Sequence, residues 1–321
     1  MRRLIGHDEA WAVWRAARGG QRMHHGWILA GREGLGKANF ARAAAAELVS
    51  EPGVPQPAPE AHPDIHVLEP LPSNEDEAKK RDDGKPYARK RNISVDQIRG
   101  VQRRLVTRPT LGARRAVIID AADDLEKGAV NALLKSLEEP PVGTFFLLVT
   151  HQIGRLLPTV RSRCTVLRFH PLVADDMARA LAEAAPELTG PALEAAIAAG
   201  GGAPGAALSF AEMDLGGAWQ LMSRLVAEGD PDLALRGELS TILGQRPDRA
   251  RLLALLEVAR RVLVAAMDRR DDAARLRIVE AHAALASLAA QAPTYNFEPA
   301  LLLLEIGGLL ASVARTREGA A

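Results

Sequence analysis

The sequence predicts an α/β domain built on a parallel sheet, followed by an all-helical remainder. Three observations carry this. Short, wholly apolar runs alternate with stretches of helical periodicity up to Pro171, the pattern of strands buried on both faces by crossover helices. A glycine-rich turn ending in lysine, Gly31-Arg-Glu-Gly-Leu-Gly36-Lys37, lies between one such run and a helix, which is the context a phosphate-binding loop requires. After Pro171 the strand signal stops, and Ala- and Leu-rich segments fill the rest.

Element by element, strong helix formers at 10–18 and 39–49 flank an apolar strand at 27–30. Prolines 52, 55, 57, 59 and 63 deny helix and ladder hydrogen bonds, so 50–63 reads as a surface connection to a strand at 65–68. Residues 73–92 are almost all charged or polar and are expected to form an exposed loop. Ser94-Val-Asp-Gln97 has the form of a capping box. Val95, Ile98, Val101 and Leu105 follow at helical spacing, so a helix is expected from there to about Thr107, ahead of Pro109. A strand at 116–120 ends in a carboxylate. A helix at 125–138 stops at Pro140-Pro141, and strands at 144–150 and 165–169 complete the sheet. Beyond it, breaks at Pro186, Gly190, the glycines between 200 and 205, Gly216-Gly217, Pro231, Pro247 and Pro293 divide the helices. The expected division is 1–171 for the α/β domain, 172–212 for a small helical module and 213–321 for a helical bundle.

A chain of 321 residues accommodates two or three domains. With 47% hydrophobic and only 4% aromatic residues, aliphatic side chains must supply most of the core, and disorder throughout is excluded. The formal net charge is +1, so attraction to nucleic acid has to come from a local patch. One exists in the sequence: residues 79–115 carry 13 Lys and Arg against 3 Asp and Glu. Arg99 and Arg103 fall on one helical face, opposite the apolar positions, an arrangement suited to phosphate contacts without base readout. For residues 79–91 a solvated charged loop is an equal reading. The single cysteine, Cys164, excludes an internal disulfide and a multi-cysteine zinc site, and a reducing, cytoplasmic setting is the expectation. The amino end turns polar at His7-Asp-Glu9 before a signal-peptide core could form. Glu305 interrupts the apolar segment 300–314, which is shorter than the roughly 20 residues a membrane span needs. No membrane association is expected.

In the loop, Gly31, Gly34 and Gly36 let backbone NH groups curl round phosphate oxygens, and Lys37 would reach the terminal phosphates. The next residue is Ala38, where a working loop has a Ser or Thr to hold Mg²⁺. Asp120 supplies the acidic strand end of a phosphate site, but Ala121 follows it, where hydrolases commonly place the glutamate that orients water. Asp123 and Asp124 are expected to cap the next helix. The pattern is a nucleotide scaffold from which catalysis has been removed.

Asn131-Ala-Leu-Leu-Lys-Ser-Leu-Glu-Glu-Pro-Pro141, together with Leu156-Leu-Pro-Thr-Val-Arg-Ser-Arg-Cys164, closely resembles the AAA+ clamp-loader family over about residues 5–210. The resemblance implies an AAA+ P-loop domain, a small helical lid and an all-α collar. It also implies that the Ser-Arg-Cys arginine, here Arg163, is presented in trans to nucleotide on an adjacent subunit, with Arg161 a weaker alternative. The residues alone leave an intramolecular salt bridge open for Arg163. Thr150 matches the family's first sensor position, though it also reads as a strand-end hydroxyl. Gly205 stands where the second-sensor arginine would be, within Gly202-Ala-Pro-Gly-Ala-Ala-Leu208. Loss at Ala38, Ala121 and Gly205 implies a non-hydrolysing stator rather than a motor. Partners implied are the motor (gamma/tau) and delta subunits, a sliding clamp and primer-template DNA, contacted through Arg99 and Arg103.

Family members that carry a cysteine-rich zinc module place it after the first loop helix, but 50–63 has no cysteine, so no zinc is carried over. His62 and His66 read as ordinary surface or strand residues, and Cys164 as a packing residue. ATP or ADP held without hydrolysis is the one cofactor left open. The alternatives are a hydrolysing motor subunit or other AAA+ ATPase, and a nucleotide-sensing scaffold outside replication.

Overall fold

The computed structural model describes residues 4–20, 22–242, 249–267, 271–292 and 297–314. The breaks expected at Pro247 and Pro293 lie outside the described residues. The chain forms two compact units, Met1–Pro171 and Leu172–Ala321.

The first unit runs α1 (Asp8–Gly19), β1 (Gly26–Ala30), α2 (Lys37–Val49), β2 (Ile65–Leu68), α3 (Glu75–Asp82), α4 (Val95–Leu105), β3 (Arg115–Ile119), α5 (Lys127–Glu138), β4 (Thr144–Thr150), α6 (Pro158–Arg161) and β5 (Thr165–Arg168). Its five strands pair in the order β2-β3-β4-β1-β5, every pair parallel. Each expected strand is present to within a residue. β1 and β3 are buried at every position, which is why they read as continuous apolar runs. The few aromatics concentrate where α1 and α2 meet the sheet. Trp14 packs edge-on to Trp27 at 5.2 Å, and Phe40 to Phe169 at 5.0 Å. Full burial of Trp14, Trp27 and Phe40 is worth about 2 kcal/mol or more apiece.

The capping box forms as its spacing requires. Gln97 N donates to Ser94 Oγ, Ser94 N donates to Gln97 Oε1, and α4 buries Ile98, Val101 and Leu105. Two expectations need correction. Residues 73–92 are exposed but not irregular, because Asn74 caps α3 by accepting from Glu77 N. Acidic residues fill the first turn of α3 and basic ones its last, which complements the helix dipole. Lys79–Asp76 and Lys80–Glu77 add i,i+3 pairs. The second correction concerns the helix expected from 125, which begins at Lys127. Leu125 is drawn into a bridge with Ile93 instead.

The second unit is helical: α7 (Ala174–Ala184), α8 (Gly190–Gly200), α9 (Pro204–Glu212), α10 (Gly216–Glu228), α11 (Ala234–Ile242), α12 (Arg249–Ala266), α13 (Asp272–Gln291) and α14 (Pro299–Ala311). Most of its buried apolar residues form one cluster from Met177 to Val313. No helix among the described residues is long and apolar enough to cross a membrane.

Candidate functional site

The phosphate-type loop leaves the carboxyl end of β1 and feeds α2. Gly34 and Gly36 adopt φ of 78° and 79°, a conformation other residues adopt only under strain. At Gly31 a Cβ would stand 2.6 Å from the Phe169 carbonyl oxygen, so only glycine fits where β1 exits beside β5. His7 Nε2 donates to Leu35 O at 2.9 Å and ties the amino-terminal segment to the loop. Lys37 is 3% exposed, and its Nζ donates to the Arg32 carbonyl within the same loop. Burial lowers its pKa to about 8, against the opposing pull of Glu33, Asp120 and Asp123. The lysine is therefore aimed into its own loop and is short of full solvation, which suits an anion as a further partner.

Asp120 lies at the end of β3, its pKa raised by burial, with Arg42 the largest opposing influence. Arg42 of α2, five residues beyond Lys37, places Nη1 4.0 Å from Asp120 Oδ2. No sequence motif singled out Arg42, since an arginine on a helix after a phosphate loop has no distinguishing spacing. The residue set fits Mg²⁺ poorly: Ala38 and Ala121 offer no side-chain oxygen, and the one strand-end carboxylate already faces a guanidinium.

Thr150 is fully buried at the end of β4, paired in register with Ala30. Its hydroxyl donates to Asp123 Oδ1 at 2.9 Å, and the same carboxylate accepts from His151 N and Gln152 N. Asp123 is thus not a helix cap. The residue in the cap position of α5 is Glu126, without a side-chain cap bond, and Asp123 is instead drawn across to the neighbouring strand end by three convergent donors.

The structure brings Lys37, Asp120, Asp123 and Thr150 to the carboxyl end of the sheet and keeps Arg163 away from them. A Cβ on Gly26, the first residue of β1, would stand 2.9 Å from both Arg163 O and Cys164 Sγ. The loop leaves β1 four residues later, so a strand length of about 13 Å separates the two ends. Arg163 Nη2 pairs with Glu138 Oε1 at 2.8 Å, and Nη1 donates to Thr159 O at 3.0 Å. The intramolecular salt bridge that the residues alone left open is present. Arg161 is exposed. Burial pushes the Cys164 thiol up to about 12, the signature of a packing residue.

Arg99 and Arg103 are exposed on α4, and Arg99 lies 3.8 Å from Asp96. The basic stretch around them is less open than its composition suggests. Lys79, Lys80, Arg81, Lys85 and Arg89 pair with nearby acids. Arg115 is buried, donating to Arg104 O and Thr107 O. His62 is likewise a correction: it is 5% exposed rather than a surface residue. Its Nε2 donates to Gln56 Oε1, and its Nδ1 accepts from Asp64 N. His66 lies in β2, and burial lowers its pKa. Gly205 is the second residue of α9.

The family model described as DNA polymerase III, delta subunit, matches residues 6–173. The DNA polymerase III subunit delta' of Pseudomonas aeruginosa is 37% identical over 206 residues, covering 60% of this chain and 57% of the relative. That of Escherichia coli is 34% identical over 211 residues, covering 64% and 59%. The chain thus aligns with just under three fifths of the length of these relatives. Among solved structures, a DNA polymerase III gamma subunit-related protein from Thermotoga maritima superposes with a TM-score of 0.51 at 19% identity. It covers 95% of this chain and 99% of that one, a likeness of fold.

Proposed function

Because this chain belongs to the DNA polymerase III delta-prime family, we propose that it is the stator of a clamp loader: it does not hydrolyse ATP itself, and it supplies Arg163 in trans to the motor subunit beside it. Its partners are the motor (gamma/tau) and delta subunits, the sliding clamp, and primer-template DNA running along Arg99 and Arg103. Helices α7–α9 serve as the lid and α10–α14 as the collar. Exposed Leu276 and Val279 on α13, with Leu301 and Leu304 on α14, give the collar apolar surface for other subunits.

One observation carries this reading: Arg163 stands at the amino end of β1, a strand length from its own phosphate loop. An arginine there has no use for nucleotide in its own chain, but it lies at a sheet edge from which a neighbour can be reached. Supplied in trans, a guanidinium neutralises charge on a transferring phosphoryl group and is worth roughly 10³ to 10⁵ in rate. The chain's own loop lacks the hydroxyl at Ala38 and a base at Ala121, and it can offer ATP or ADP only backbone NH groups and Lys37.

The test is clamp- and DNA-stimulated ATP turnover of the reconstituted complex, with Arg163→Ala and Lys37→Ala introduced in this chain alone. The stator reading expects Arg163→Ala to lower turnover by orders of magnitude and Lys37→Ala to change it little. The reverse ranking would make this chain a motor. Failure to assemble with clamp-loader subunits would place it outside replication.

A further inference from the structure

We infer that Glu138 is a positioning residue for Arg163, holding the guanidinium at Nη2 so that its Nε–H stays available to a neighbour's phosphate; the inference rests on the trans-arginine reading above. Arg163 Nη2 stands 2.8 Å from Glu138 Oε1 in an ion pair, and Nη1 donates to Thr159 O at 3.0 Å and Ser162 Oγ at 3.4 Å. Among the described residues, nothing bonds its Nε. A guanidinium has five N–H donors in a rigid fork, so fixing the two terminal nitrogens orients the remaining donors.

Both backbones that carry this pair are fastened to the same strand end. His25 Nε2 donates to Leu137 O at 2.8 Å, immediately before Glu138. The absence of a side chain at Gly26 admits Arg163 O and Cys164 Sγ, with Leu137 Cδ2 3.5 Å from where a Cβ would be. Glu138 is the last residue of α5, where a carboxylate meets the negative end of the helix dipole and is disfavoured on its own. Arg163 offsets that charge. The side chains are 36% and 49% exposed, and a pair so open to water contributes little to folding. Its consequence is orientation, and it stays close to solvent where a phosphate can reach the Nε donor.

The experiment is steady-state ATP turnover of the reconstituted complex, separating kcat from KM, for Glu138→Ala, Glu138→Gln, Arg163→Ala and the double Arg163→Ala/Glu138→Ala. Misplacing a catalytic arginine costs rate more than binding, so Glu138→Ala is expected to lower kcat roughly tenfold with KM for ATP little changed. Glu138→Gln, which keeps an acceptor oxygen, loses less. In the double variant, Glu138→Ala adds nothing to Arg163→Ala. Thermal melting and co-elution with the other subunits confirm that each variant folds and assembles. A large effect of Arg163→Ala with none of Glu138→Ala overturns the positioning role and leaves the trans arginine standing. So does a Glu138→Ala loss that persists undiminished without Arg163. If Arg163→Ala itself changes nothing, both readings fall together.

Discussion

Thr150 Oγ1 donates to Asp123 Oδ1 at 2.9 Å, joining the end of β4 to the short helical turn that follows β3. The Thr150 hydroxyl is thereby committed to a carboxylate 27 residues earlier in the chain. His151 N, at 2.7 Å, and Gln152 N, at 3.2 Å, converge on the same group. Removing it leaves three donors short of an acceptor, one of them on a fully buried residue.

Asp123→Ala should therefore destabilise the first unit by about 1–3 kcal/mol, given the cost of leaving the buried Thr150 hydroxyl and two less buried NH groups without their charged acceptor. Asp123→Asn keeps one carbonyl oxygen and should lose about half as much. Urea unfolding of the two variants checks this, and equal stability of Asp123→Ala and wild type would refute it.

Lys37 titrates near 8 because burial disfavours its charged form. The sign follows from proton counting. Between about pH 8 and the unfolded value of about 10.4, the unfolded chain holds a proton that the folded chain has released. Stability contributed at this site therefore rises with pH across that window and is lowest below it. Relative to Lys37→Met, the wild type should gain stability from pH 8 to 10. Amine labelling of Lys37 should show a midpoint near 8, and inorganic pyrophosphate bound in the loop would raise it.

Cys164, with its thiol pushed up to about 12, should resist iodoacetamide in the native protein at pH 7.5 and react promptly in denaturant, because the thiolate is the nucleophile. Mass spectrometry after a timed quench distinguishes the two. Rapid native alkylation would contradict the half-buried placement beside Gly26.

Asp64 is 2% exposed and accepts from Thr110 N at 2.7 Å and Leu111 N at 2.8 Å. It pins the segment before β3 to the start of β2. Asp64→Ala should cost about 3 kcal/mol or more, since two backbone donors lose a charged acceptor together. A melting temperature shift of several degrees is expected, and an unchanged melting curve would show that water replaces the carboxylate without penalty.

Residue order alone specifies the strands, the phosphate-type loop, the capping box at Ser94 and the boundary near Pro171. Each is written in local order: apolar runs, glycine spacing, and a hydroxyl three residues before an amide. It also set the absence of oxygen ligands at Ala38 and Ala121. The polar pairings came only with the folded chain. Asp123 looked like a cap because helix starts favour aspartate, yet donors from β4 claimed it. Arg115, counted among the 13 basic residues of 79–115, is a buried tie to the end of α4. Arg163 acquired Glu138, 25 residues earlier, and a place at the far end of β1 from the loop, because parallel strands put their carboxyl ends together and leave the segment before β5 at the other edge. Periodicity fixes which face of an element is buried, but a polar group's partner depends on which distant donors the fold delivers to it.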